Sequence, residues 1–481
     1  MKPGYGNRAF ISGLLAGCLL LLAGCRRIAV NTAPDTPVIG GPHRGGLDTV
    51  YTFTATASDS DGDSVSLRFD WGDGDTSDWN GWVAGGETVQ MSHAWQSFNT
   101  FWVRAQARDP HDSLSAWSRP SSGELLIDPV RWRYEVPDIN GSWSLSLALD
   151  GTVYVGLAEG GIDALNPDGT RRWRSVVASS VSSVGPDGSI YLVDGNWVYA
   201  LSPDGALEWS DSLETGPMDD MYWYHVCIGA DGTVYVGYDR NLYAFRPDGV
   251  EMWRFPLLDV HYTHPAVGPD GTIYLGAGET YYAVRPDGTE KWRYPMGYPM
   301  GGQSTAVAFG PDGTIYVHVH FDSLYALNPD GTRKWAIYPG YWSGYGVAVG
   351  SDGAVYYCSG SLYANGELVV RNPDGTLRNT FAVSGGARGT PALASDGTVY
   401  VIAGEGIVCA LDKAGAVRWR YNTGGHVNSD VVFGAAGTAY VRASIGRFGP
   451  DCVYAINVPT GLADAPWPMY LHDPQHTGRA R

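Results

Sequence analysis

Residues 266–284 read Ala266-Val267-Gly268-Pro269-Asp270-Gly271-Thr272-Ile273-Tyr274-Leu275-Gly276, then, after a short loop, Tyr281-Tyr282-Ala283-Val284. Residues 285–293 continue with Arg285-Pro286-Asp287-Gly288 and Glu290-Lys291-Trp292-Arg293. Short apolar runs alternate here with Pro, Asp and Gly. Runs of four or five β-favouring residues between turn residues are strand signals. The stretch therefore predicts four short strands, with Asp-Gly turns after the first and the third. Asp-Gly suits a tight hairpin because both residues tolerate positive φ.

The same order of parts recurs from Arg131 onward. Trp stands at 132, 173, 209, 253, 292, 335, 419 and 467. The spacing is close to forty residues, apart from one double interval, where a Trp is lost near Asn379. Val153, Ile190, Val234, Ile273, Ile315, Val355, Val399 and Ala439 each sit near the start of a second strand. Four-stranded units of about forty residues, set radially, make a β-propeller. Eight units predict eight blades. Arg131-Trp132-Arg133-Tyr134 matches a fourth strand with no first three before it, while the final repeat, 431–456, has only three good strands. The two ends are expected to complete one blade and so remove an exposed edge.

Tyr325-Ala326-Leu327-Asn328-Pro329-Asp330-Gly331-Thr332-Arg333-Lys334-Trp335 resembles the repeat of the quinoprotein-like (pyrroloquinoline-quinone-like) propellers. That resemblance implies that each Trp packs between neighbouring blades. Some members of the superfamily are dehydrogenases that use a calcium-bound quinone, a catalytic Asp and often a disulfide between adjacent cysteines. This chain has no Cys-Cys pair, and its Asp residues fall overwhelmingly in turns, leaving few candidates inside the ring, so no quinone cofactor is expected. No Gly-x-Ser-x-Gly or His-Glu-x-x-His motif is present.

Working outward, the chain predicts an all-β protein in five parts. Residues 1–24 read as a lipoprotein signal peptide. Lys2 and Arg8 precede the apolar run Phe10–Ala23, which is too short to span a bilayer. Leu22-Ala23-Gly24-Cys25 resembles the bacterial lipobox, which makes Cys25 the lipidation site and preferable to Cys18, whose apolar run is shorter. Residues 25–36 are a tether. Residues 37–128 are expected to form an immunoglobulin-like sandwich. Their strands alternate in polarity, and Asp70-Trp71-Gly72-Asp73-Gly74 with Trp95 resembles the PKD or fibronectin-like branch of that fold. The propeller follows at 129–464, and a tail at 465–481. The tail resembles a segment seen at the ends of such propellers, for which packing or capping is expected.

Site expectations rest on strand direction. Turns after first and third strands share one face, which the Asp-Gly repeats make regular and acidic. The opposite face carries variable loops rich in rings: Trp143; Tyr222, Trp223, Tyr224 and His225; His261, Tyr262 and His264; Tyr341, Trp342 and Tyr345. Irregular loops on a rigid scaffold are the usual place for function, and rings suit peptide or sugar binding. These residues form the candidate ligand-binding face. His318 and His320 share a strand face, and with His261 and His264 they are a further metal candidate. Asp59, Asp61 and Asp63 cluster about Gly62 and are candidate calcium ligands.

The formal net charge of −18 argues against nucleic acid. The expected function is a non-catalytic cell-envelope lipoprotein, held to the membrane by its lipid and binding a protein or glycan. The outer membrane or cell surface is the favoured location, because Arg26 rather than Asp follows Cys25. The competing reading is a quinone-dependent dehydrogenase or a carbohydrate-active enzyme using the aromatic face. Cys227, Cys358, Cys409 and Cys452 leave disulfides and buried thiols both open.

Overall fold

The computed structural model describes residues 31–480, apart from 48, 97, 120–122, 138–144, 158–159, 178–181, 214–225, 260–263, 297–306, 320–322, 339–345, 360–365, 405, 428, 435–436, 445–448, 467, 470, 474–475 and 478. The described residues form strands, bridges and turns without a helix. They include no helix long and apolar enough to cross a membrane. Two compact units emerge. One holds the described residues up to Gly41 with 52–91 and 102–123; the other holds 42–51, 92–101 and 124–481. The division runs through the expected 37–128 domain.

The first unit centres on the antiparallel pair Ser66–Asp70 and Arg104–Arg108. Phe53, Phe69 and Trp71 are buried beside it, with Phe69 and Trp71 stacked at 5.1 Å.

The second unit contains eight four-stranded antiparallel sheets, seven of them in strict chain order. Second strands begin at Val153, Ile190, Val234, Ile273, Ile315, Val355, Val399 and Thr438, within one residue of their expected starts. The eighth sheet is closed by the chain's earlier segment: Val130–Glu135 pairs with Asp451–Asn457, placing Trp132 opposite Ala455 and Tyr134 opposite Val453. The array is a β-propeller whose last sheet is built from both ends of the repeat region.

One cross-strand pattern explains why the repeat keeps its residues. In the fifth sheet Tyr316 lies opposite Ala326, which lies opposite Trp335. The small Ala lets the two rings meet over it, at 5.8 Å. The same Tyr–Ala–Trp row appears as Tyr154–Ala164–Trp173 and Tyr274–Ala283–Trp292. It returns across the closure as Tyr440–Ala455–Trp132, with rings 5.6 Å apart. Burying two large rings against each other contributes area and geometry together.

Six of the Trp residues then join their sheets to the next. Trp292 Nε1 donates to the Pro329 carbonyl at 3.0 Å, and Trp132, Trp173, Trp209, Trp253 and Trp335 do likewise to Pro167, Pro203, Pro247, Pro286 and Pro373. The ring lies flat on the glycine of the same turn. A Cβ at Gly331 would fall 2.6 Å from Trp292, and its φ of +86° already demands glycine.

The turns differ from expectation in one respect. Gly271 has φ +78°, while Asp270 is not among the positive-φ residues. Gly271 N–H donates to Gly268 and Gly268 N–H to Thr272, so the loop is a type I turn followed by a left-handed glycine. The Asp serves by its side chain: Asp270 Oδ1 accepts the Thr272 N–H at 3.0 Å. All four described cysteines are buried free thiols.

Candidate functional site

The interior of the propeller is where the described residues say most. First strands lie at the inner end of each sheet, and the C-terminal tail runs across them. Ala463 N–H donates to Leu393, and Leu393 N–H to Pro468. Further on, Ile228 N–H donates to Thr477 at 2.9 Å and Ala480 N–H to Val267 at 2.8 Å. Arg479 Nη1 reaches the Gly229 carbonyl. The tail thus pairs with inner strands of the seventh, third and fourth sheets, and Ser183 of the second lies 2.9 Å from the His476 carbonyl. Met469, Leu471, His472 and His476 are buried.

The tail is itself braced. Asp473 accepts the Thr477 N–H at 2.9 Å and its hydroxyl at 2.5 Å. Burial pushes the Asp473 carboxyl up, but His472 and Thr477 more than offset it and hold it below the usual range. Burial lowers His476 to about 4, against the opposing pull of Asp473, so its ring is neutral at pH 7. Leu471, His472 and His476 adopt positive φ, a conformation non-glycine residues hold only when their surroundings enforce it. The sequence marked these residues; their seat on the inner strands had no sequence signal.

Most of the candidate aromatic face, namely Trp143, Tyr222, Trp223, Tyr224, His225, His261, Tyr262, Tyr341, Trp342 and Tyr345, lies outside the described residues. His264 is described, and it is buried just before an inner strand. His318 is buried within a second strand, while His261 and His320 are outside the described residues.

The opposite face is built as its turns require. Asp150, Asp187, Asp231, Asp270, Asp312, Asp352 and Asp396 each accept the N–H two residues on. Five of them also meet a base from the fourth strand: Arg172, Lys291, Lys334, Arg378 or Arg418.

In the first unit the three candidate calcium ligands go to different partners. Asp61 accepts the Thr32 N–H and hydroxyl, both at 2.7 Å, which hold its carboxyl below the usual range. Asp59 Oδ1 accepts the Asp61 N–H. Asp63 faces His111 at 3.4 Å. Asp63, Asp109 and His111 bring ligand atoms within 4.8 Å of one another, a grouping the sequence reading missed because Asp109 and His111 lie far along the chain. Asp109 is already engaged by Asn31, His111 and Ser113.

Two ion pairs with buried carboxylates sit near the closure; Arg442 is buried as well, while Arg174 is exposed. Arg442 Nε donates to Asp451 at 2.9 Å. Asp163 accepts both Arg174 nitrogens at 2.6 Å and the Tyr134 hydroxyl at 2.7 Å, tying the closing strand to the first sheet. Removing one partner of such a pair strands a buried charge.

Comparison with known proteins agrees with the repeat. No curated protein matches the chain. Among solved structures, the Neurospora crassa Pan2 WD40 domain matches at 11% identity, covering 70% of this chain and 98% of its own, with a TM-score of 0.43. Chaetomium thermophilum Raptor matches at 10% identity, covering 69% and 29%, with a TM-score of 0.44. The PKD domain of an M14-like peptidase from Thermoplasmatales archaeon SCGC AB-540-F20 matches at 36% identity over 20% of this chain and 98% of its own, with a TM-score of 0.19. One family model matches at 107–259, 194–338, 238–390 and 343–464, well over half of the chain, and on that ground the protein belongs to the repeat family described as outer membrane protein assembly factor BamB.

Proposed function

We propose that this protein is an exported, lipid-anchored docking module of the bacterial cell envelope: an eight-bladed propeller, carried after an immunoglobulin-like domain, that binds a protein or glycan and performs no chemistry. The observation that carries the reading is the tail. Ala463, Pro468, Thr477 and Ala480 hydrogen-bond to inner strands, and Met469, Leu471, His472, His476 and Ala480 are buried, so the chain's own tail occupies part of the propeller interior. Against a quinone stand the tail's pairing with inner strands of the seventh, third and fourth sheets and the commitment of the turn aspartates to N–H groups and bases. Eight four-stranded sheets support the blade count, the apolar run before Cys25 supports the anchor, and the family's description supports an envelope location.

The test is a thermal-shift series on residues 26–481 with pyrroloquinoline quinone plus calcium, calcium alone, and a glycan panel. A ligand that binds only the native state raises Tm. The expected result is no rise with quinone plus calcium beyond calcium alone. Such a rise would overturn the non-catalytic reading. A rise with calcium alone that Asp61→Ala abolishes would place a cation at Asp59, Asp61 and Asp63. A glycan rise that Trp342→Ala abolishes would assign the aromatic face.

A further inference from the structure

The fourth strands of the eight sheets form an internal comparison set, because each is the outer edge of its sheet. Sheet edges present backbone N–H and C=O groups to any passing strand, and proteins guard them with charges, Lys above all. Seven of these strands carry at least one Arg or Lys. The strand Leu207–Ser212, sequence LEWSDS, carries none, and holds Glu208 and Asp211 instead.

Two further departures coincide there. At the position before the Trp, or before Asn379 in the sixth sheet, a base meets the first-turn Asp in five other sheets. In the second sheet it is Glu208, 3.5 Å from the Ser189 hydroxyl. The position after the Trp is Arg254 in the third sheet, opposite Tyr243, and its guanidinium lies 5.2 Å over that ring. In the second sheet it is Ser210, opposite Tyr199. A serine cannot reach over a ring. Tyr199 stays partly exposed, and Trp197, 6.5 Å from it, is 41% exposed. The second sheet therefore lacks the guanidinium that covers the equivalent ring one sheet along, and its outer strand carries acids where its siblings carry bases.

We propose that the outer edge of the second sheet, Leu207–Ser212 with Trp197 and Tyr199, docks an extended arginine-bearing segment of a partner protein that adds as a fifth strand. Backbone hydrogen bonds would supply affinity in this mode, and side chains specificity. An incoming Arg would stack on Tyr199 or Trp197 as Arg254 does on Tyr243, with Glu208 on the same strand as counter-charge. The inference rests on the docking reading above and locates one surface for it.

The experiment uses residues 26–481 and two synthetic peptides, Thr-Arg-Val-Arg-Val-Thr and Thr-Glu-Val-Glu-Val-Thr, both capped. Affinity is read by fluorescence titration, and the site by hydrogen exchange. The arginine peptide should slow exchange across 207–212 and bind at least tenfold more tightly than the glutamate peptide. The double variant Glu208→Lys/Ser210→Arg restores what the sibling sheets carry. It should keep the wild-type Tm and lose at least tenfold in affinity for the arginine peptide. Trp197→Ser, which leaves the acids in place, should also weaken binding. No binding, equal binding of the two peptides, protection elsewhere, or undiminished binding by the double variant would each overturn the proposal. A quinone-dependent thermal shift would instead sink the docking reading while leaving any peptide result at 207–212 intact, so the two failures are distinguishable.

Discussion

The fifth and sixth sheets have the same fold and different interiors. In the fifth, Tyr316, Ala326 and Trp335 form the ring–gap–ring row. In the sixth, the corresponding row is Tyr356, Val370 and Asn379. The lost Trp is thus accompanied by a larger residue at the middle position, and the added methyl groups take space the indole would have used. The seam to the seventh sheet changes in step. Its turn, Asp412-Lys413-Ala414-Gly415, has Lys413 where the other turns have Pro. Phe381, two residues beyond Asn379, supplies the ring instead, so close that a Cβ at Gly415 would fall 1.8 Å from it. The requirement is a flat ring over the turn glycine, and the chain meets it from two different positions.

The seam at the closure teaches the same lesson. The eighth sheet has no turn between its third and fourth strands, because those strands come from opposite ends of the repeat region. Trp419 therefore has no such turn to lie on. Phe98, from the segment 92–101, packs against it instead, edge to face at 4.9 Å, and Leu47 joins the same cluster.

These differences can be broken in order of expected effect. Trp335→Ala removes both the ring over Ala326 and the bond to Pro373, and should cost about 3 kcal/mol in denaturant unfolding. The same loss in the sixth sheet has already been absorbed, so Asn379→Ala should change stability by under about 0.5 kcal/mol. Ala326→Val forces the sixth-sheet middle residue under an intact Trp and should cost about 2 kcal/mol by overpacking. Rebuilding the missing row tests the coupling. Asn379→Trp alone should destabilise against Val370, and Val370→Ala should relieve it, with an interaction energy of about 1 kcal/mol in the double-mutant cycle. Additivity of the two would show that the positions are independent.

A further small effect concerns the surface base. Lys334 donates to Asp312 at 2.8 Å. Burial pushes the Asp312 carboxyl up, but Lys334 and Thr314 outweigh it and bring it to about 2. A carboxyl depressed in the folded state contributes stability that is present above its unfolded value of 3.8 and lost as pH falls toward 2. Both partners are partly exposed, so solvent screening keeps the contribution under about 1 kcal/mol. Lys334→Met, the residue type the third sheet has at this position, should lower stability by that amount at pH 7 and by only a small part of it at pH 2, where half of the Asp312 carboxyl is protonated.

Much of this was readable in the sequence. The Asp-Gly turns fixed strand ends to within a residue because a left-handed glycine and an aspartate side chain are local requirements. The closure was readable because Arg131-Trp132-Arg133-Tyr134 had no preceding strands. What stayed hidden depends on contacts between distant residues. Val370 compensates Asn379 only through register, Phe98 meets Trp419 across more than three hundred residues, and the tail's seat on four inner strands leaves no periodic trace. The candidate aromatic face was chosen from strand direction and the ring content of its loops, and of its eleven residues His264 alone is described, as a buried one.

The central claim is that the tail belongs to the propeller interior. Hydrogen exchange on residues 26–481, read at the Ile228 and Ala480 amides, tests it most directly. The account predicts that both exchange as slowly as amides inside the sheets, and that a chain ending at 464 loses the protection of Ile228. Exchange of Ala480 at the rate of an open peptide, with Ile228 indifferent to the truncation, would contradict it.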